Sequence, residues 1–310
     1  MRDGRISAGN ALHLARHIRS GHWNDVDSSL LQAIASARSN NCDRVLLSSE
    51  WLLGSFAHDE RLIKFSQRLH KLGDHSLELL LVLRDPVGQF ISLYKHRAKA
   101  GSVGSIDNWA RAGYDLPLRL GGLRRQITSI PAKVVVRGYG KESGALERLF
   151  FEDWLRVAVP KESRGFLVNP SLTLSELVLL RKLRGHHPGL VPFLYERLLA
   201  LDPSVKLEGQ AMQSYARQVA VHAVAHYSEE WAHWNEFLPV GERFEVPESG
   251  PQPQSEPSQL ELAAAQLAVM MHLLAEAVGP RLRLQLLWSW RVRPLLARIK
   301  RAVLPWHSRR

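Results

Sequence analysis

A chain of 310 residues with 45% apolar composition can bury a substantial core, and nothing in residues 1 to about 245 suggests disorder. Its formal net charge of +11 calls for an anionic partner: nucleic acid, anionic lipid or an anionic small molecule. The single cysteine, Cys42, excludes an intramolecular disulfide and a cysteine metal cluster within one chain, and fits a reducing, cytoplasmic compartment.

The N-terminus MRDGRISAGN lacks the apolar run of a signal peptide. Leu12, Ala15 and Ile18 then recur at helical spacing, and Asp27 or Ser28 is the expected cap of a second helix through Leu30, Leu31 and Ile34. Arg44 to Ser49 (RVLLSS) is a predicted strand ending at Ser49 and Glu50. Asp59 is the expected cap of a third helix carrying Leu62, Phe65, Leu69 and Leu72 on one face, with Gly73 as its stop.

Leu77 to Leu83 (LELLLVL) reads as a buried parallel strand. A helix starts directly after it, with Asp85 as N-cap and Pro86 as first helical residue. Ala132 to Arg137 (AKVVVR) is the third predicted strand, followed by a helix through Leu146, Leu149, Phe150 and Trp154. Strands alternating with helices predict an α/β fold with a doubly wound parallel sheet. From Asn169 onward the pattern is helical: Thr173 and Glu176 form a capping box before Leu177 to Leu183, and further helices follow near 188 to 201 and 207 to 235. The expected organisation is an α/β domain over 1–245, a Pro/Ser/Gln linker over 246–259, and a basic amphipathic tail over 260–310.

Ligands of an open parallel sheet bind outside the carboxyl ends of its strands, so residues 48 to 50, 84 to 94 and 137 to 141 are expected to converge. Arg84 offers a planar fork for phosphate, the helix behind it offers amide donors, and Ser92 adds a hydroxyl. The Asp85 carboxylate is compatible with an anion there only if it caps the helix. The plainer alternative is that Arg84 pairs with a carboxylate at the sheet edge.

The segment LELLLVLRDPVGQFISLY resembles the 3′-phosphate-binding segment of sulfotransferases that use 3′-phosphoadenylyl sulfate (PAPS), in which an Arg at a strand end is followed eight positions later by a Ser. RVLLSSE precedes it where that family ends a strand with a Thr-His pair, and KVVVRGYGKE follows where the family has a strand ending in a Tyr. FLVNPSLTLSELVLLRKL is similar to an Asn-Pro-Ser stretch of bacterial members. The resemblance implies a P-loop-NTPase-like three-layer parallel sheet with a helical C-terminal half, and transfer of a sulfuryl group from PAPS to an acceptor hydroxyl on a glycan, lipid or small molecule, with no metal. It puts Arg84 and Ser92 on the 3′-phosphate, Tyr139 beside the adenine, and Glu50 in the general-base position where the family commonly has His. The alternatives are a capping or ion-paired Glu50 and a packing role for Tyr139.

One family element is missing from this sequence: the Gly/Thr-rich loop that wraps the 5′-phosphosulfate. Either the start lies upstream, so that the domain is N-terminally incomplete, or the chain is a non-catalytic remnant or scaffold acting at a membrane surface. Loss of a central strand would leave backbone groups unpaired, which favours the first.

His222, His226, Glu230 and His233 recur near helical spacing, either as metal ligands or as a polar helix face. Residues 281–310 hold nine Arg or Lys and no acidic residue, mixed with Leu and Trp. They are expected to contact an anionic membrane surface or a partner, or to remain solvated. Base-reading motifs are absent, so nucleic acid is not an expected partner. With no run of ~18 uninterrupted apolar residues, the expected state is soluble or peripheral at the inner membrane face.

Overall fold

Leu79 to Leu83 are five apolar residues in a row, and in the computed structural model they lie within a strand, β1 (Leu77–Leu83). It pairs in parallel with β2 (Ala132–Gly138), in a register running from Leu77 opposite Ala132 to Leu83 opposite Gly138. The structure describes residues 10–99, 104–139, 145–159, 171–250 and 252–277. Among them the architecture is mixed α/β, mostly helical, around this small two-stranded parallel sheet. The basic stretch 281–310, Gly140, and Asn169 and Pro170 of the Asn-Pro-Ser stretch lie outside the described residues. No described helix is long and apolar enough to cross a membrane.

The chain divides into two compact units. The first comprises residues 1–94, 106–166 and 217–253. It holds the sheet and helices α1 (Leu12–Ser20), α2 (Trp23–Ser39), α3 (Trp51–Phe56), α4 (Arg61–Lys71), the start of α5 (Pro86–Lys99), α6 (Ile106–Ala112), α7 (Leu116–Ile127), α8 (Ala145–Glu147, continuing as a π-helical turn to Trp154), the second half of α11 (Gln210–Ala225), and α12 (Ser228–Phe237). Its core contains an aromatic cluster of Phe90, Tyr94, Trp109 and Tyr114, with Tyr227 on its edge and Phe90 and Trp109 centred 4.6 Å apart. Trp231 and Trp234 of α12 are also fully buried.

The expected strand at Arg44–Ser49 does not form. The segment has no strand partner among the described residues, because the entry to α1 takes up its backbone groups. Asn10 donates to the Leu46 carbonyl at 2.7 Å and accepts from the Ser48 amide at 2.8 Å, while the Ala11 amide donates to the Ser48 carbonyl. Two caps also differ from expectation. α2 begins at Trp23, four residues before Asp27, whose carboxylate instead pairs with Arg68. Asp59 has φ of +55° and pairs with Arg61 without capping α4.

A distant side chain supplies what Asp59 does not. Gln126 of α7 accepts from the Leu62 amide at 2.8 Å and donates to the Phe56 carbonyl at 2.6 Å, joining the end of α3 to the start of α4 inside the core. Buried amide and carbonyl groups left without partners cost about 1–3 kcal/mol each.

The second unit comprises residues 95–105, 167–216 and 254–310. It is built from α9 (Leu174–His186), α10 (Val191–Ala200) and α13 (Ala264–Ala277). Thr173 and Glu176 form the expected capping box. Glu176 is fully buried, and its second oxygen accepts from Gln266 of α13 at 2.9 Å, so residues 264–277 of the expected tail are a helix docked through a buried polar pair. Glu256, within the Pro/Ser/Gln stretch, pairs with Arg181.

Replacing Gln126 by Leu keeps the volume of the side chain and removes its links to Leu62 and Phe56, together with its bond to the Gly122 carbonyl within α7. The expected result is a loss of about 2–4 kcal/mol of unfolding free energy, read in urea as a lower midpoint with unchanged slope. A midpoint within error of the wild type would show that these links are dispensable.

Candidate functional site

The carboxyl ends of the two parallel strands lie side by side, so the residues following them are neighbours. The Tyr139 amide donates to the Leu83 carbonyl at 2.6 Å, extending the ladder one step beyond Gly138. That step sets Tyr139 beside Arg84, and the Arg84 guanidinium lies over the Tyr139 ring, 4.5 Å from its centroid. Arg84 also donates through Nη1 to the Ser92 Oγ at 3.2 Å. Three of the four candidate residues therefore meet: Arg84, Ser92 and Tyr139.

The local sequence explains the geometry. Pro86 opens α5 with its φ already helical. Asp85 turns its carboxylate back to accept from the Gly88 amide at 2.6 Å, while its carbonyl accepts from Gln89. The carboxylate thus caps the helix, as expected. A Cβ at Gly88 would lie 2.8 Å from Asp85 Oδ2, so a larger residue there would displace the capping carboxylate. Arg84 forms no ion pair with a carboxylate among the described residues, so the edge salt bridge weighed as its plainer role is not formed.

Glu50 stands apart. It is exposed at the start of α3 and makes no hydrogen bond or ion pair with Arg84, Ser92 or Tyr139 among the described residues. Its carboxylate does not cap α3 either, because the Trp51 amide donates to Ser49 Oγ at 3.2 Å. The histidine-rich face also divides. His222 and His226 lie edge to face at 4.8 Å, but Glu230 is held by Arg124 through two hydrogen bonds of 3.0 and 3.2 Å.

The sequence did not reveal a second carboxylate beside this site. Glu242 accepts from Arg137 Nε at 2.8 and 3.0 Å and from the Gly138 amide at 2.7 Å, clamping the last turn of β2 next to Tyr139. Nothing in the spacing around Arg137 points 105 residues ahead to Glu242. Burial alone would push the Glu242 carboxyl up, but the hydrogen bonds from Arg137 and Gly138 outweigh it and hold the group below its ordinary value of 4.5. Near Asp85, burial pushes the Tyr114 hydroxyl well above its ordinary value, with Tyr227 and Asp85 adding to the shift, so it stays protonated.

The folded form binds the Glu242 proton more weakly than the unfolded chain, so the clamp contributes fully above about pH 4.5 and is lost as pH falls through the depressed folded value. Melting temperatures taken from about pH 6 down to about pH 3 are expected to fall less steeply in Glu242→Gln than in wild type. Parallel curves would rule out this carboxylate as a source of the acid sensitivity.

Comparison with protein-family models, with curated proteins and with solved structures finds no match for this chain.

Proposed function

We propose that the strand-end site formed by Arg84, Ser92 and Tyr139 binds the 3′-phosphate and adenine of PAPS, and that the protein is a sulfotransferase acting on an acceptor hydroxyl. The observation that carries the reading is the meeting of a guanidinium, a hydroxyl and an aromatic ring where two parallel strands end. An Arg fork matches phosphate oxygens in a bidentate fashion, and Ser92 already holds one side of it in place. Tyr139 is 38% exposed, and an aromatic ring at this edge suits stacking against a base. Asp85, which would repel an anion, is engaged in its cap. The reading carries a finer fold expectation, in which β1 and β2 are two strands of a larger P-loop-NTPase-like three-layer sheet.

In the transfer step, the acceptor oxygen attacks sulfur in line, the bond from sulfur to the bridging phosphate oxygen breaks, and adenosine 3′,5′-bisphosphate leaves. Glu50 is the residue assigned to take the acceptor proton. Arg84 and Ser92 act only on the donor's far end, positioning it without touching the reacting bond.

A second reading is binding without transfer. Its support is specific: Glu50 is exposed and unconnected to the other three residues. The two readings share the nucleotide and differ in turnover.

Calorimetric titration with adenosine 3′,5′-bisphosphate is expected to give binding that weakens about ten- to a hundredfold in Arg84→Ala, roughly 1.5–3 kcal/mol, with a smaller loss in Ser92→Ala. Unchanged affinity in a folded Arg84→Ala variant would refute the site. With PAPS and a panel of hydroxyl acceptors, Glu50→Gln is expected to abolish turnover while leaving nucleotide affinity intact. Retained turnover would remove Glu50 from the mechanism, and no turnover in the wild type would favour binding alone.

A further inference from the structure

At the junction of α1 and α2, three side chains with metal-ligating atoms converge. Gly21, at φ of +75°, ends α1 in a left-handed turn, and the His22 amide donates back to the His17 carbonyl at 3.0 Å. The turn folds the first residues of α2 over the last turn of α1. His17 Nδ1 comes to 3.5 Å and His22 Nδ1 to 3.9 Å from Asp25 Oδ2. The ligand atoms of all three residues lie within 4.8 Å of one another, and no other such group of three occurs among the described residues.

We propose that His17, His22 and Asp25 bind a divalent first-row transition metal, with Zn²⁺ as the reference ion. Tetrahedral zinc with bonds of about 2.0–2.1 Å requires ligand atoms about 3.3–3.4 Å apart. The His17–Asp25 separation of 3.5 Å already approaches this, and the His22–Asp25 separation exceeds it by about half an ångström. The ligand nitrogens of the two imidazoles lie within 4.8 Å of each other, and His22 and Asp25 are 65% and 59% exposed, so rotation of these two side chains is the movement that closes the site.

The charge pattern fits a cation. Among the described residues the Asp25 carboxylate faces the two imidazoles and no Lys or Arg within salt-bridge distance, whereas neighbouring Asp27 is taken by Arg68. Two neutral imidazoles and one carboxylate are a nitrogen- and oxygen-rich set that selects Zn²⁺, Ni²⁺ or Cu²⁺ over Mg²⁺ or Ca²⁺. Three protein ligands leave a fourth position for water. Such an ion links the end of α1 to the start of α2, so it staples the first two helices of the first unit and stabilises the fold in proportion to its occupancy. The site is independent of the strand-end residues.

The test uses the full chain at about pH 7.5, above the ordinary histidine pKa of about 6.5, so that metal meets neutral imidazole. Titration with Zn²⁺ is expected to show one equivalent whose affinity falls at least tenfold in Asp25→Asn, His17→Ala and His22→Ala. The double variant His186→Ala/His187→Ala, which removes an exposed histidine pair elsewhere, is expected to keep it. Zn²⁺ is also expected to raise the melting temperature of the wild type and of the double variant but not of Asp25→Asn. Asp25→Asn changes charge at nearly constant shape at an exposed position, and its melting curve without metal checks that it is folded. Wild-type protein that takes up no zinc, or zinc uptake that survives in Asp25→Asn and His17→Ala alike, would overturn the proposal.

Discussion

The parallel pairing of Leu77–Leu83 with Ala132–Gly138 is the constraint on which the site depends. In parallel strands both chains run the same way, so both carboxyl ends emerge at one edge and the residues beyond them are forced together. The hydrogen bond from the Tyr139 amide to the Leu83 carbonyl carries the register one step past the strands, and this places a guanidinium against an aromatic ring. A slip of one residue would turn Tyr139 to the opposite face and separate the pair. Lys133 against Glu78 at the opposite end of the same two strands helps to hold the register.

Two carboxylates at this edge are tied to backbone amides. Asp85 caps α5 through Gly88, and Glu242 clamps Gly138 while pairing with Arg137. Each is held by its own partners, and neither forms an ion pair with Arg84. The guanidinium is left with a hydroxyl and a ring as its recorded neighbours, which is an arrangement suited to an incoming anion. Stacking on Tyr139 contributes about 0.5–1 kcal/mol at such a partly exposed position and limits the rotamers Arg84 samples before a ligand arrives.

Features encoded over a few residues were legible in the sequence. The strand at Leu77–Leu83, the strand at Ala132, the Asp85-Pro86 helix start and the Thr173/Glu176 capping box all form as their local chemistry dictates, although within Leu77–Leu83, expected to be buried throughout, only Leu83 is buried. What escaped depends on partners far along the chain. Arg44–Ser49 has strand composition, but Asn10 takes the backbone groups that a sheet would use. Asp27 has the character of a helix cap, yet Arg68 claims it, and the cap of α4 comes from Gln126. The Glu242 clamp on Arg137 has no local signature. His17, His22 and Asp25 are close in sequence but lie on different helices, and only the left-handed turn at Gly21 brings them to one point.

The most direct test of the account is a crystal structure of the protein with adenosine 3′,5′-bisphosphate. The account predicts the 3′-phosphate on the Arg84 guanidinium and the Ser92 hydroxyl, with the adenine beside the Tyr139 ring. A nucleotide bound elsewhere, or one whose phosphate leaves Arg84 and Ser92 untouched, would contradict it.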